Sequence, residues 1–216
     1  MACLYYAARE IARILLLLLT NRRVRGRDNV PERGPLLIAA NHLHLADPPV
    51  LSCSLSRRVT FMAKEELFRR RLTGYLLRKL GAFPVKKGQL NRGAFQWADQ
   101  LLTRGLVLAA FPEGRRSKDA QLQPAFSGMA LIASRSGVPV LPVGITGTEN
   151  IRGMVWFFRR PRVTVNIGHP FYLPPLSDRL TKVELTELTD TMMERIAELL
   201  PKKYRGNYTG KIKKKA

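Results

Sequence analysis

The chain has 216 residues, of which 45% are hydrophobic and 25% are charged, a balance typical of a globular protein with a buried core. Its length fits one domain with short terminal additions. Thirty-seven lysines and arginines oppose sixteen acidic residues, and the net charge of +21 predicts attraction to an anionic surface or substrate. The two cysteines, Cys3 and Cys53, are too few to indicate a disulfide framework or a zinc site.

The N-terminal segment 3–20 is apolar except for Arg9, Glu10 and Arg13. Its uncharged run is too short for a transmembrane helix, and the residues after it offer no cleavage site typical of a signal peptide. Arg9 and Arg13 would share one helix face, with leucine, isoleucine and tyrosine side chains over much of the rest. The pattern predicts a membrane-interfacial amphipathic helix over residues 1–24. An ordinary helix packed on the core is the alternative.

Short apolar runs alternate with longer amphipathic segments between residues 25 and 200, the predicted main domain. The predicted strands are Leu36–Ala40, Val59–Ala63, Ala82–Val85, Leu106–Phe111, Val138–Ile145 and Arg162–Ile167. The predicted helices cover 49–56, 65–79, 91–104, 125–136 and 182–200. This alternation predicts a single α/β domain with a mostly parallel central sheet flanked by helices.

The C-terminal segment 201–216 contains seven lysines and arginines and no acidic residue. This composition predicts a disordered basic tail. Such a tail can bind anionic headgroups, or it can remain solvated without a partner.

A histidine and an aspartate stand five positions apart in the segment Asn41–Pro48, directly after the first predicted strand. A general base needs a free imidazole nitrogen and a partner that holds the other N–H group. Asp47 is predicted to be that partner for His42. The alternatives are a helix-capping role for His42, or a metal site that also uses His44. Because nearby ligands to complete a metal site are lacking, no resident metal is predicted.

Three further blocks lie on later predicted strands or directly after them, where ligands collect in α/β sheets. They are Gly81-Ala82-Phe83-Pro84-Val85-Lys86-Lys87-Gly88, Phe111-Pro112-Glu113-Gly114-Arg115-Arg116-Ser117 and Val138-Pro139-Val140-Leu141-Pro142-Val143. In this order and at these intervals, they and the Asn41–Pro48 segment resemble the four motifs of the glycerolipid acyltransferase family. The chain is most similar to bacterial 1-acyl-sn-glycerol-3-phosphate acyltransferases, over about residues 30–170.

The resemblance implies an enzyme that moves a fatty acyl group to the free hydroxyl of 1-acyl-glycerol-3-phosphate, giving phosphatidic acid. The donor would be acyl-CoA or acyl-carrier protein, and no cofactor is implied. His42 would act as the general base, supported by Asp47. The side of the site that binds glycerol phosphate would be formed by Lys87, Glu113, Gly114 and Arg116. Glu113 can also be interpreted as an acceptor for backbone N–H groups within its turn.

Two positions depart from the family pattern, which usually has arginine in place of Lys87 and threonine in place of Arg115. Either change can alter acceptor preference, so glycerol-3-phosphate and other lyso-lipids remain alternative acceptors. A basic nucleic-acid-binding protein is the competing class, but it leaves the motifs unexplained and lacks a recognisable module. No nucleic-acid partner is therefore expected. The charge and the N-terminal helix predict peripheral attachment to anionic phospholipid on the cytoplasmic face of the cell membrane.

Overall fold

The structure, a computed structural model, describes residues 2–85, 92–153, 156–175 and 181–210. The strands in these ranges are β1 (Asn21–Arg25), β2 (Leu36–Ala40), β3 (Val59–Lys64), β4 (Phe83–Val85), β5 (Val107–Ala110), β6 (Val140–Thr146) and β7 (Arg162–Ile167). The helices are α1 (Ala2–Leu19), α2 (Asp47–Ser54), α3 (Glu65–Arg69), α4 (Arg71–Lys79), α5 (Arg92–Thr103), α6 (Gly128–Ser136), α7 (Trp156–Arg159) and α8 (Lys182–Glu198).

The strands form one sheet in the order β1-β7-β6-β2-β5-β3-β4. Every neighbouring pair is parallel except β6 and β7, which are antiparallel. The predicted α/β domain with a mostly parallel sheet is confirmed. Strand β2 lies in the middle of this order, between β5 and β6, so the loops after β5 and β6 flank the loop after β2.

Side chains of β2 alternate between two hydrophobic cores, one on each face of the sheet. Leu36 and Ile38 belong to the core under α1 and α2, whereas Leu37 and Ala39 belong to the core under α5, α6 and α8. Because β2 is covered on both faces, all five of its residues are buried. This explains why it reads as a continuous apolar run in the sequence.

Helices α3 and α4 replace the single helix predicted over 65–79. The backbone is extended at Arg70, and Gly74 then packs against the backbone of Phe68. A Cβ atom on Gly74 would lie 2.3 Å from the Phe68 carbonyl oxygen, so only glycine allows α4 to approach α3 this closely.

The predicted terminal boundaries need two corrections. Residues 21–25 form β1, an edge strand paired with β7, and do not continue the N-terminal helix. Residues 201–210 are not a disordered tail, because Tyr204 and Tyr208 are buried against the core. Burial of two aromatic rings outweighs the basic composition of this segment. Residues 211–216 lie outside the described residues. None of the described helices is long and apolar enough to cross a bilayer.

Candidate active site

The candidate site begins at the carboxyl end of β2, where Asn41 ties this strand to its neighbour. The Asn41 side-chain amide donates to the Ile145 carbonyl oxygen at 2.8 Å, and its oxygen accepts from the Ile145 N–H at 2.7 Å. Asn41 is buried, and this reciprocal pair satisfies its amide. The next residue, His42, therefore leaves the sheet from a fixed point.

His42 and Asp47 are brought together as predicted. The His42 Nδ1 atom lies 2.7 Å from Oδ2 of Asp47. The Asp47 side chain is fully buried, whereas that of His42 remains 16% exposed. The chain turns between them and enters α2 at Asp47, with Pro48 and Pro49 in the first turn, where a missing N–H does no harm.

The surroundings of Asp47 determine how the imidazole is protonated. Besides His42 Nδ1, its Oδ2 atom accepts hydrogen bonds from the backbone N–H groups of Leu43 at 2.6 Å and His44 at 2.7 Å. A carboxylate fixed by N–H donors acts as an acceptor, so we assign the proton to His42 Nδ1. This tautomer leaves Nε2 of His42 with a lone pair, as a general base requires.

Two side chains from the neighbouring strands complete this pair, and the sequence reasoning did not assign either of them to the site. Phe111, directly after β5, stacks on the His42 ring with centroids 4.1 Å apart. Thr148, just after β6, is fully buried and donates its hydroxyl to Oδ1 of Asp47 at 2.6 Å. The available signal was that each lies at or just after the end of a predicted strand, where ligands collect in α/β sheets; which strands adjoin β2 could not be read from the sequence.

Glu113 accepts backbone N–H groups, as the second interpretation of its turn predicted, and its part in binding the acceptor stays a prediction. It is 1% exposed, and its two oxygens accept from the backbone N–H groups of His42 at 2.8 Å and Gln123 at 2.9 Å. Burial raises the pKa of the Glu113 carboxyl to about 7, against the opposing effect of these two N–H donors. Glu113 thus joins the loop after β5 to the backbone of the base.

Gly114 and Arg116 do border the open part of the site, together with Arg115. Gly114 has a φ of +60°, and a Cβ atom there would lie 2.8 Å from the ring of Phe126. Both arginines are exposed, and Arg115 donates to the side chain of Gln123 at 3.2 Å. Lys87, predicted to join them, lies outside the described residues.

A cavity of about 870 Å³ extends from His42 and is lined mostly by apolar side chains. One wall is formed by α1 through Tyr5, Ala8 and Ala12, and the opposite side includes Leu77 of α4 and Leu131 of α6. Its volume and lining suit a long hydrocarbon chain. Cationic groups also border it: Arg9, Lys64, Arg115 and Arg116.

His44 is placed differently from His42. Its Nδ1 atom accepts from the Ala46 N–H at 3.3 Å, and burial lowers the pKa of its imidazole. The Nδ1 atoms of His42 and His44 are therefore both engaged in hydrogen bonds. Within the described ranges, no group of three or more histidine, cysteine or acidic side chains is arranged to hold a metal ion.

The Acyltransferase family model matches residues 21–146, more than half of the chain. This chain belongs to the acyltransferase family. The matched region holds His42, Asp47 and the whole loop after β5. Thr148 lies two residues beyond its end, so the candidate site includes one side chain outside the matched segment.

Named relatives extend this assignment. The acyltransferase is 26% identical to the 1-acyl-sn-glycerol-3-phosphate acyltransferase of Bacillus subtilis, covering 91% of this chain and 96% of the relative. It is 30% identical to the Streptococcus pneumoniae protein of the same name, over 69% of this chain and 55% of the relative. The crystal structure of the 1-acyl-sn-glycerophosphate acyltransferase PlsC from Thermotoga maritima superimposes with a TM-score of 0.68 and 25% identity, covering 90% and 78% of the two chains.

Proposed function

We propose that this acyltransferase moves a fatty acyl group from acyl-CoA or acyl-carrier protein to the free hydroxyl of 1-acyl-sn-glycerol-3-phosphate, giving phosphatidic acid. The observation that supports this most directly is the His42–Asp47 pair, 2.7 Å apart, at the edge of an apolar cavity bordered by arginines. The names of the relatives indicate the same acceptor.

The reaction follows from the assigned tautomer. His42 Nε2 removes the proton of the acceptor hydroxyl while the oxygen attacks the thioester carbonyl carbon, and Asp47 stabilises the resulting imidazolium. The tetrahedral intermediate then expels the thiolate, which takes the proton from Nε2 and leaves as the free thiol. The new ester bond replaces the thioester, and His42 returns to its starting state. A covalent acyl-enzyme is not needed.

Arg115 and Arg116 are proposed to bind the phosphate of the acceptor. Both are exposed at the border of the cavity, and a guanidinium group can bind a phosphate through two parallel hydrogen bonds. Lys87 stays a prediction for the same role. With the phosphate held at the border, the apolar cavity is available for acyl chains.

Peripheral attachment to the cytoplasmic face of the membrane is proposed through α1. One side of α1 packs on the protein through Tyr5 and Leu16, while Ile11, Ile14 and Leu17 are between 56% and 68% exposed. Core packing, one of the two interpretations of this helix from the sequence, describes the first face, and interfacial binding is proposed for the second. An exposed apolar face beside arginines is typical of helices that lie in the headgroup region.

The deciding experiment is an acyl-transfer assay in detergent micelles. Purified enzyme is given acyl-CoA or acyl-carrier protein with lysophosphatidate, glycerol-3-phosphate or a monoacylglycerol. We expect lysophosphatidate to be the best acceptor, and His42→Ala to reduce kcat by about 10²- to 10⁴-fold. His169→Ala, at an exposed turn, is the matched control and should keep wild-type activity.

Each other outcome has a defined meaning. Wild-type activity in His42→Ala would exclude the general-base mechanism. The wild type could instead acylate another acceptor and not lysophosphatidate, while His42→Ala is inactive on that acceptor. This result would support the general-base mechanism and change the acceptor. Salt-sensitive binding to nucleic acid without acyl transfer to any acceptor would overturn the proposal altogether.

A further inference from the structure

The short helix α7 is held against the C-terminal end of α1. Arg160, directly after α7, has a φ of +40°, a conformation that is rare for a residue with a side chain. Its guanidinium donates to the Leu17 carbonyl oxygen at 3.0 Å, and the Asn21 N–H donates to the Pro161 carbonyl oxygen at 3.0 Å. Carbonyl groups in the last turn of a helix lack partners within it, so Arg160 satisfies one of them.

This attachment joins two distant parts of the sequence that both carry exposed apolar side chains. Phe157 and Phe158 are 38% and 78% exposed, and their ring centroids lie 4.2 Å apart. Leu17 and Leu18, at the end of α1, are 68% and 61% exposed. Trp156, the first residue of α7, is partly buried and packs instead on the hydrophobic core that also contains Leu16 of α1. Large apolar side chains grouped at the surface in this way mark a contact with a partner.

The two segments that carry these side chains are almost entirely positive in charge. Segments 2–25 and 156–162 contain eight arginines and one acidic residue, Glu10. Two copies of this chain meeting at this surface would bring like charges together, which opposes a dimer. An anionic lipid surface is attracted by the same charges, and it accepts aromatic rings at headgroup depth.

We propose that α7 and the C-terminal half of α1 form one membrane-docking surface for a bilayer that contains anionic phospholipid. The docking surface consists of Ile14, Leu17, Leu18, Phe157 and Phe158, with Arg159 and Arg160 beside it. The inference builds on the membrane attachment in the proposed function and adds a second contact, from the β6–β7 connection. Two contacts on different segments fix the orientation of the domain on the bilayer, which α1 alone does not.

Vesicle flotation with the full-length protein tests this surface directly. On vesicles of phosphatidylcholine and phosphatidylglycerol, we expect the double variant Phe157→Asp/Phe158→Asp to bind at least tenfold more weakly than wild type. Its control is Tyr172→Asp/Val183→Asp, which changes two side chains that are 68% and 66% exposed and lie outside the docking surface, and it should bind within twofold of wild type. Arg159→Gln should weaken binding about fivefold on the anionic vesicles and leave binding to pure phosphatidylcholine unchanged.

A direct contact measurement separates insertion from loss of folding. The variant Trp97→Phe/Trp156→Phe/Phe158→Trp carries a single tryptophan, at the most exposed position of the docking surface. Lipids brominated near the headgroup should quench the fluorescence of this tryptophan in the bound state. Wild-type vesicle binding by Phe157→Asp/Phe158→Asp, or no quenching in the single-tryptophan variant, would overturn the docking surface. A wild-type dimer that this double variant dissociates, with vesicle binding unchanged, would assign the surface to a second copy of the chain.

The docking surface and the proposed reaction fail separately. In detergent micelles the double variant should transfer acyl groups to lysophosphatidate within twofold of wild type, since its site is intact. If the wild type transfers no acyl group in micelles but vesicle binding changes as described, the acceptor assignment fails and the docking surface stands. If acyl transfer to lysophosphatidate is normal and none of the variants changes vesicle binding, the docking surface fails and the acceptor assignment stands.

Discussion

The hydroxyl of Thr148 donates a 2.6 Å hydrogen bond to Oδ1 of Asp47, although 101 positions separate the two residues in the sequence. This bond fixes the buried carboxylate on the side away from His42. In the proposed mechanism Thr148 is a positioning residue, which acts on His42 through Asp47.

Thr148→Val should retain the fold and lose part of the activity. Valine keeps the volume of threonine but leaves a buried carboxylate oxygen without its donor, at a cost of about 1–3 kcal/mol in the free energy of unfolding. We expect kcat to fall about five- to tenfold while KM for the acceptor changes little. Thr148→Ser, which restores the donor, should recover most of kcat. Equal kcat in Thr148→Val and wild type would remove Thr148 from the mechanism.

Glu113 makes stability depend on pH in a direction unusual for an acidic residue. Its carboxyl has a pKa of about 7 in the fold against an ordinary value of 4.5. Between these values the folded state binds more protons than the unfolded state, so the stability from this group is present below pH 4.5 and is lost as pH rises through 7. The loss amounts to at most about 3 kcal/mol.

Urea denaturation at pH 5 and pH 8 measures this dependence. Glu113→Gln cannot titrate, so its free energy of unfolding should fall less over this range than that of wild type. The matched control is Asp119→Asn, since a hydrogen bond from Ser117 lowers the pKa of Asp119 and keeps its titration below this range. Parallel pH dependences of wild type and Glu113→Gln would contradict the shift at Glu113.

Gly114→Ala separates backbone strain from steric contact. Gly114 and Gly34 both have positive φ, but a Cβ atom would meet Phe126 at Gly114 and nothing within 4 Å at Gly34. In both alanine variants the positive φ should lower the free energy of unfolding by about 1–2 kcal/mol, because a Cβ atom disfavours this left-handed conformation. Only Gly114→Ala should add a further cost of about 1–3 kcal/mol, from displacing Phe126 at the cavity, and raise KM. Equal melting temperatures and kinetics in the two variants would show that Phe126 moves freely.

Ala8→Phe should shorten the acyl chains that the enzyme prefers. Ala8 of α1 lines the cavity, so a phenyl ring there removes volume that long chains would fill. With each buried methylene contributing about 0.8 kcal/mol, excluding two of them lowers the preference for long over short chains by about tenfold. Competition between 10-carbon and 16-carbon acyl-CoA measures the ratio. Ala7→Phe, on the exposed side of the same helix, should leave it unchanged.

Most strands and helices were predictable because burial on both sheet faces produces continuous apolar runs. Strand β1 was missed, since its sequence Asn-Arg-Arg-Val-Arg is polar and it pairs only at the sheet edge. The break at Arg70 was missed because it depends on how closely Gly74 approaches Phe68, a contact between two helices that periodicity within one does not describe.

The His42–Asp47 pair was predictable because the two residues are only five positions apart, so local chain geometry is enough to bring them together. Phe111 and Thr148 were not, since their contacts depend on β5 and β6 being the two neighbours of β2. Strand order is set by packing of the whole domain. The role of Glu113 was ambiguous for a related reason. The residues around it in the sequence are the same whether its carboxylate is buried against backbone N–H groups or binds a substrate.

The reciprocal bonds between Asn41 and Ile145 have a consequence for how new specificities can arise. They anchor His42, the proposed base, at the end of a fully buried strand, whereas the arginines that border the cavity are exposed and stand on a loop. Replacements on that loop can therefore change which alcohol is accepted while the catalytic step stays intact. Evolution, or a protein engineer, can exchange the acceptor without rebuilding the catalyst.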